Sequence, residues 1–244
     1  MKIVSFNIGN FVWVLYTQKA QHYAFQRKDT NAIVALVGAE NADVVFLQEI
    51  ATHEDADLLR SHFSLFLYSL KIQTETHALS LFLSNYPITE IHHTYSNDYL
   101  INGITFFPIH LYAFSSKVRS VQTNLLLPDL PEEKGVILGD TNFWIYNNFF
   151  FSKRDKMSYN EIIKKHTDCL RHLGETCRIK LSLDKIFITH DLQAKGAKIV
   201  KHKIGSIDHY LISATISEKD NDMSKMPRDH VANNASLQNK EDIS

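Results

Sequence analysis

A layered α/β domain is what this 244-residue sequence predicts, on three observations. Short apolar runs rich in β-branched and aromatic residues recur along most of the chain. Helical patterns with Ser, Thr or Asp at their starts lie between some of them. The composition, 44% hydrophobic and 22% charged, is that of an ordinary globular chain, long enough for one well-filled core or two small ones.

The apolar runs fall at residues 3–6, 44–47, 63–68, 79–83, 104–109, 136–138, 183–188, 197–200 and 210–216. Their lengths and polar flanks fit strands, several of them buried on both faces. Asp29-Thr30 can cap a helix carrying Ile33, Leu36 and Val37, and Ser115-Ser116 one carrying Val118, Val121 and Leu125. Strands interleaved with helices are the pattern of α/β layers. From about Ser217 the character changes: the last 28 residues are polar and poor in aromatics, with four basic and six acidic side chains. Such a segment cannot bury enough apolar surface to offset its chain entropy. The expected division is a folded domain over 1–216 and a disordered tail over 217–244.

Charge and cysteine content narrow the classes further. The net charge is −1 and the pI about 6.9, without the basic excess that marks many duplex-binding proteins. Cys169 and Cys177 are too few for a disulfide scaffold and lack zinc-site spacing, so reduced thiols are expected. No apolar run approaches the length of a membrane span, and the chain starts directly on Lys2-Ile3-Val4-Ser5-Phe6, without an apolar signal core. The cytoplasm is the default compartment, with signal-less export left open.

The functional signal is the placement of polar residues at the ends of strand runs. Asn7 ends the first run and Gln48-Glu49 the second; His110 ends FFPIH; Asp140 and Asn142 follow VIL; Asp184 opens DKIFI; Asp208-His209 precede the last run. Each alone has a bland reading, such as a solvated loop carboxylate, a helix cap or a turn residue. The same placement repeated at several strand ends points instead to one shared crevice.

The ordered set SFNI, LQE, LSNYPI, IHL, RSVQ, GDTN, SLDKIFI and IDHY resembles the endonuclease/exonuclease/phosphatase superfamily, over about residues 2–216. The resemblance implies a four-layered α/β sandwich of two packed mixed β-sheets flanked by helices, as in deoxyribonuclease I. It also implies a hydrolase that opens a phosphate ester with activated water. By that likeness Glu49 is the main carboxylate ligand of a catalytic Mg²⁺, with Mn²⁺ as the alternative ion, Asn7 beside it and Asp208 as a further ligand. Asp140 would orient or deprotonate the attacking water, and Asn142 and His110 would hold phosphate oxygens. His209 would donate to the phosphate, with Asp184 fixing its tautomer. Lys185 and Arg119 are assigned to substrate binding. The pattern is departed from at Ile207, where the family usually has Ser, and at Lys185, where an aromatic residue or Arg is common.

The branch is less sharply marked. IHL around His110 is shared by the deoxyribonuclease, sphingomyelinase and phosphatase branches, whereas the inositol 5-phosphatase signature is absent. GDTN, with the stretch from Cys177-Arg178 to Ile186-Phe187, is similar to tyrosyl-DNA phosphodiesterases. Phe149-Phe150-Phe151 reads as core packing ahead of a lipid-touching loop. Lys195, Lys198, Lys201 and Lys203 read equally as phosphate-tracking charges or as solvated strand-edge lysines. Nucleic acid is thus the expected substrate, with a phosphorylated lipid or inositol phosphate second and a non-enzymatic binding module a distant third. The chain is expected as a monomer with no obligate protein partner.

Overall fold

The computed structural model describes residues 1–9, 27–50, 52–63, 67–72, 79–146, 149–205 and 207–219. Two six-stranded mixed sheets lie face to face, with helices outside each. One sheet has the order β13-β14-β1-β2-β4-β3, from β1 (Lys2–Asn7), β2 (Val44–Ile50), β3 (Leu67–Ile72), β4 (Leu79–Ser84), β13 (Leu192–Val200) and β14 (Leu211–Glu218). The other has the order β11-β12-β8-β7-β6-β5, from β5 (Thr89–His92), β6 (Asn97–Ile101), β7 (Ile104–His110), β8 (Gly135–Asp140), β11 (His166–Asp168) and β12 (Asp184–Thr189). A short hairpin, β9 (Ile145–Tyr146) with β10 (Phe149–Phe150), stands apart. The helices are α1 (Arg27–Ala39), α2 (His53–His62), α3 (Ser116–Leu126) and α4 (Lys153–Ile163).

Strand alternation builds the layers. Ile3, Val44, Phe46, Val136, Leu138, Ile186 and Ile212 point into the seam between the sheets, where Phe82 stacks on Tyr99 at 4.5 Å between ring centroids. Their neighbours Val4, Phe6, Val45 and Leu47 face the other way, against Ile33 and Val37 of α1 and Ala56 and Leu59 of α2. On the second sheet Ile137 and Phe187 turn outward onto Tyr159 and Ile162 of α4. Truncating a seam residue such as Phe82 to Ala costs about 3–5 kcal/mol by the usual cavity argument.

Several elements differ from expectation. The strand expected at 63–68 starts only at Leu67; Phe63 is the C-cap of α2, and 64–66 lie outside the described residues. Helix α1 already includes Asp29 and Thr30 in its first turn, so they are not its cap. Ser115 does cap α3, its Oγ accepting from Val118 N at 3.4 Å. The last strand runs to Glu218, two residues past the expected domain end, and the rest of the expected tail, from 220 on, lies outside the described residues. Both cysteines are free, and no described helix is long and apolar enough to cross a membrane.

Candidate active site

The site is the polar end of the intersheet seam. On β1 the inward register Ile3, Ser5 continues to Asn7; on β2 Val44, Phe46 continues to Gln48; on β8 Val136, Leu138 continues to Asp140. On β12 the inward register Ile188, Ile186 runs back to Asp184, which pairs across the sheet with Asp140. Because β1 and β2 are parallel, as are β7 and β8, while β14 and β12 run against them, four strand ends and two strand starts meet here.

Glu49 follows Gln48 and by alternation belongs on the helix side. A register shift between Leu47 and Ile50, with Glu49 at φ +59°, turns it toward the site instead. Positive φ in a non-glycine residue is strained, and strain of this kind concentrates where function holds it. Gly9 makes room: a Cβ there would sit 1.9 Å from Glu49 Oε2. Gly139, at φ +132°, lets β8 approach β7 where a Cβ would lie 2.1 Å from the Ile109 carbonyl.

Eight of the expected residues converge. Asn7 Nδ2 donates to Glu49 Oε1 at 2.9 Å and to Asp140 Oδ2 at 3.1 Å, while its Oδ1 accepts from Gly9 N at 3.0 Å. His110 Nε2 lies 3.2 Å from Glu49 Oε1 and 3.9 Å from Asp140 Oδ2. His209 Nε2 faces Asp140 Oδ2 at 3.7 Å, and its Nδ1 lies 2.9 Å from Asp184 Oδ2. A carboxylate only accepts, so Nδ1 donates there. Asn142, at φ +49°, donates through Nδ2 to the Leu111 carbonyl, and its backbone N–H reaches Asp140 Oδ1 at 2.8 Å. Asp208 lines the same cleft with Asp140, Asn142 and His209.

The electrostatics follow from burial and pairing. Burial pushes the Asp140 carboxyl up to about 6, against the pull of His209. Burial opposes ionisation of Glu49 too, but the His110 hydrogen bond and charge outweigh it and hold that carboxyl below its ordinary range. Burial disfavours charge on His209, yet Asp184 and Asp140 raise it well above 6.5; His110 is raised by Glu49 in the same way. Burial raises Asp208.

The donor set fits a hard divalent cation. Glu49, His110 and Asp140 each offer a ligand atom, all within 4.8 Å of one another, and Asp140, Asp184 and His209 form a second such group. Among the described residues the cations in ion-pair reach of Glu49 and Asp140 are histidines, so no lysine or arginine already neutralises the two carboxylates. Asp208 Oδ1 is buried without a hydrogen-bond partner. Converging carboxylate oxygens with an amide nearby suit Mg²⁺ or Mn²⁺.

The two residues assigned to substrate binding lie elsewhere. Arg119 is buried and bidentate on Asp155, at 2.9 and 2.7 Å, with NH1 also donating to the carbonyls of Tyr112 and Ala113. It ties α3 to α4 and to the loop after His110. Lys185 sits on the opposite face of β12 from Asp184, with Nζ 2.8 Å from Ser182 Oγ and 3.5 Å from Asp168 Oδ2. Of the four lysines near the last strand, Lys198 pairs with Glu40 and Lys201 with Glu175. Phe149 and Phe151 are 65% and 60% exposed, because the β9–β10 hairpin leaves only Phe150 packed on Tyr159.

Further side chains support the cluster. Gln48 bridges Ser5 Oγ and Asp140 N. Thr176 Oγ1 accepts from Leu183 N and Asp184 N, and its carbonyl accepts from Tyr210 N, fixing the strand starts that carry Asp184 and His209. Phe114 and Trp144, 47% and 41% exposed, line the mouth of the cleft; exposure of single aromatics is not legible from local pattern.

A family model described as "Endonuclease/Exonuclease/phosphatase family" matches residues 4–206. Among solved structures, the 3′ phosphatase NExo from Neisseria bound to product DNA hairpin superposes with a TM-score of 0.66 at 12% identity, over 89% of this chain and 99% of the other. D. rerio TDP2 complexed with single strand DNA product gives 0.63 at 14%, over 89% and 98%. An endonuclease/exonuclease/phosphatase from Bacteroides vulgatus gives 0.64 at 14%, over 89% and 98%. At these identities the likeness is one of fold. A search of curated proteins finds no sequence match.

Proposed function

The chain belongs to the endonuclease/exonuclease/phosphatase family, and from that premise we propose that it is a divalent-metal-dependent phosphodiesterase acting on nucleic acid ends or single strands. The observation that carries the chemistry is the convergence of Glu49, Asp140, His110 and His209 around Asn7 at the end of the seam. Glu49 and Asn7, with Asp208, would hold Mg²⁺ or Mn²⁺, which when bound supplies positive charge to the phosphate oxygens. Asp140, with a carboxyl near neutrality, is suited to take a proton from the attacking water. His209, kept cationic by Asp184, donates to the phosphate as charge builds, and the Asn142 amide and His110 add donors.

Two features favour nucleic acid with unstacked bases over duplex. Phe114 and Trp144 are partly exposed aromatic residues lining the cleft, and stacking on aromatic side chains is how single strands are held. The cleft lining includes no lysine or arginine among the described residues, whereas tracking a duplex needs a basic footprint. A lipid phosphodiester is the second reading, favoured by the exposed, edge-on pair Phe149 and Phe151.

The test is an activity panel with Mg²⁺ or Mn²⁺: single-stranded oligonucleotide, plasmid, 5′-tyrosyl and 3′-phosphoryl ends, and sphingomyelin or phosphoinositide vesicles. Hydrolysis of oligonucleotides or modified ends ahead of plasmid is the expected result. Turnover of lipid alone would transfer the assignment to the second reading.

A further inference from the structure

Behind the catalytic cleft lies a second cavity of about 260 Å³. The partition between them is a pair of chain segments pinned by Ser182 N donating to the Ile145 carbonyl at 2.8 Å. Neighbouring residues along both segments line opposite sides: Trp144, Ile179 and Leu183 the cleft, and Ile145, Lys180 and Ser182 the cavity. The cavity therefore begins where the cleft wall ends.

Its charge is unbalanced. Asp168 is committed to Lys185 and accepts from Tyr159 Oη at 2.9 Å and Leu170 N at 2.9 Å. Glu175 at the rim is committed to Lys201 at 2.6 Å. What remains facing the space is positive or donating: the exposed Arg171, His172 and Lys180. Lys185 is only 2% exposed, and its Nζ is held between Ser182 Oγ at 2.8 Å and Asp168 Oδ2 at 3.5 Å, so it lines the cavity without adding net charge. A cavity whose two carboxylates are already paired, with a guanidinium, an ammonium and an imidazole left around it, is a site for an anion, and guanidinium with ammonium is the pairing suited to phosphate oxygens.

We infer that this cavity is a second phosphate subsite, which takes the phosphate next to the scissile one in a polyanionic substrate lying across the Trp144–Ile179 wall. This rests on the phosphodiesterase reading of the cleft and adds a requirement: substrates carrying two phosphates bind better than those carrying one. The aromatic ring of Tyr159 and the side chains of Ile145 and Phe150 supply an apolar floor, so an attached sugar or base also has a surface to lie on.

The experiment compares wild type with Arg171→Gln/Lys180→Gln, both exposed positions outside the catalytic cluster, after a thermal melt shows the two equally folded. One arm measures KM and kcat on a thymidine dinucleotide with one phosphodiester, a trinucleotide with two, and bis(p-nitrophenyl) phosphate. The other measures binding of inorganic phosphate by calorimetry in EDTA. The expected result is a KM for the trinucleotide roughly tenfold below that for the dinucleotide in wild type only, since losing charge-assisted hydrogen bonds costs about that factor. The variant should keep kcat and hydrolysis of bis(p-nitrophenyl) phosphate. Phosphate binding that the variant loses, without any gain from chain length, identifies free phosphate as the source and keeps the subsite while removing the substrate bridge. If wild type cleaves bis(p-nitrophenyl) phosphate but no oligonucleotide, the nucleic-acid reading fails and the calorimetric arm alone decides the cavity. Equal phosphate binding by both proteins, with no chain-length effect that the variant removes, overturns the inference.

Discussion

His209 Nδ1 lies 2.9 Å from Asp184 Oδ2, with both side chains buried and the other ring nitrogen turned toward Asp140. Asp184 thereby sets the tautomer of His209 and, with Asp140, raises its pKa. The two should act as a unit. Asp184→Asn and His209→Ala are each expected to lower kcat about 10²–10⁴-fold, as for a general acid–base group, and the double variant little more than either. Additive losses in this cycle would show that Asp184 serves the strand start and not the imidazole.

Metal removal is the second test. EDTA should abolish turnover and Mg²⁺ or Mn²⁺ restore it. A readout independent of activity is thermal stability, because a ligand that binds only the folded protein raises it by mass action. Mg²⁺ is expected to raise the wild-type Tm and to leave that of Glu49→Gln unmoved. Full activity after exhaustive chelation would remove the metal assignment.

Stability of the metal-free protein should fall as pH rises above the mildly acidic range. Asp140 in the folded state titrates at about 6 against an ordinary 3.8, so its relative stabilisation is complete below 3.8 and is lost through about 6. His110 and His209 are raised above 6.5, so their contribution is present below 6.5 and is lost as pH climbs through the raised values. Glu49 runs the opposite way: its carboxyl is lowered, so its contribution is present above 4.5 and disappears on acidification. Melts in EDTA should therefore peak on the mildly acidic side, with the alkaline loss reduced by added Mg²⁺. A profile that keeps rising from pH 6 upward would contradict these shifts.

Much of this was legible in the sequence because the period of a strand is two. Once Ile3, Val44, Val136 and Ile186 are taken as inward-facing, Asn7, Gln48, Asp140 and Asp184 fall on the same face without further information. The same rule places Lys185 on the opposite face of β12 from Asp184, away from the cleft. Arg119 departs from expectation for another reason: its partner Asp155 is 36 residues away, and nothing local announces a buried bidentate pair. Helices α2 and α4 carry no clean apolar period, because the faces they bury mix polar with apolar residues: Asp55, Ala56 and Leu59 in one, and Asp155, Ser158, Tyr159 and Ile162 in the other. The second cavity is a product of tertiary contact between segments around 145, 171 and 182.

Glu49 is where alternation fails, and it gives the sharpest test of how the fold holds the site. Its φ of +59° is left-handed backbone, which costs a non-glycine residue about 1–2 kcal/mol. Glycine adopts it freely. At an ordinary strand position Gly is less stable than Ala; here the order should invert. Glu49→Gly is expected to be more stable than Glu49→Ala by about 1 kcal/mol in EDTA, with both inactive. Gly9 should behave in the opposite sense. Its added Cβ would lie 1.9 Å from Glu49 Oε2 and 2.4 Å from Glu49 Cβ, too close to be relieved by swinging the carboxylate tip alone. Gly9→Ala should then displace Glu49, lowering turnover about 10²-fold or more, in keeping with a misplaced catalytic group, and should weaken the Mg²⁺-induced rise in Tm. Urea melts of the three variants read the stability order directly. If Glu49→Gly proves less stable than Glu49→Ala, the bulge is not strained as its backbone indicates, and Glu49 is held there by some other means.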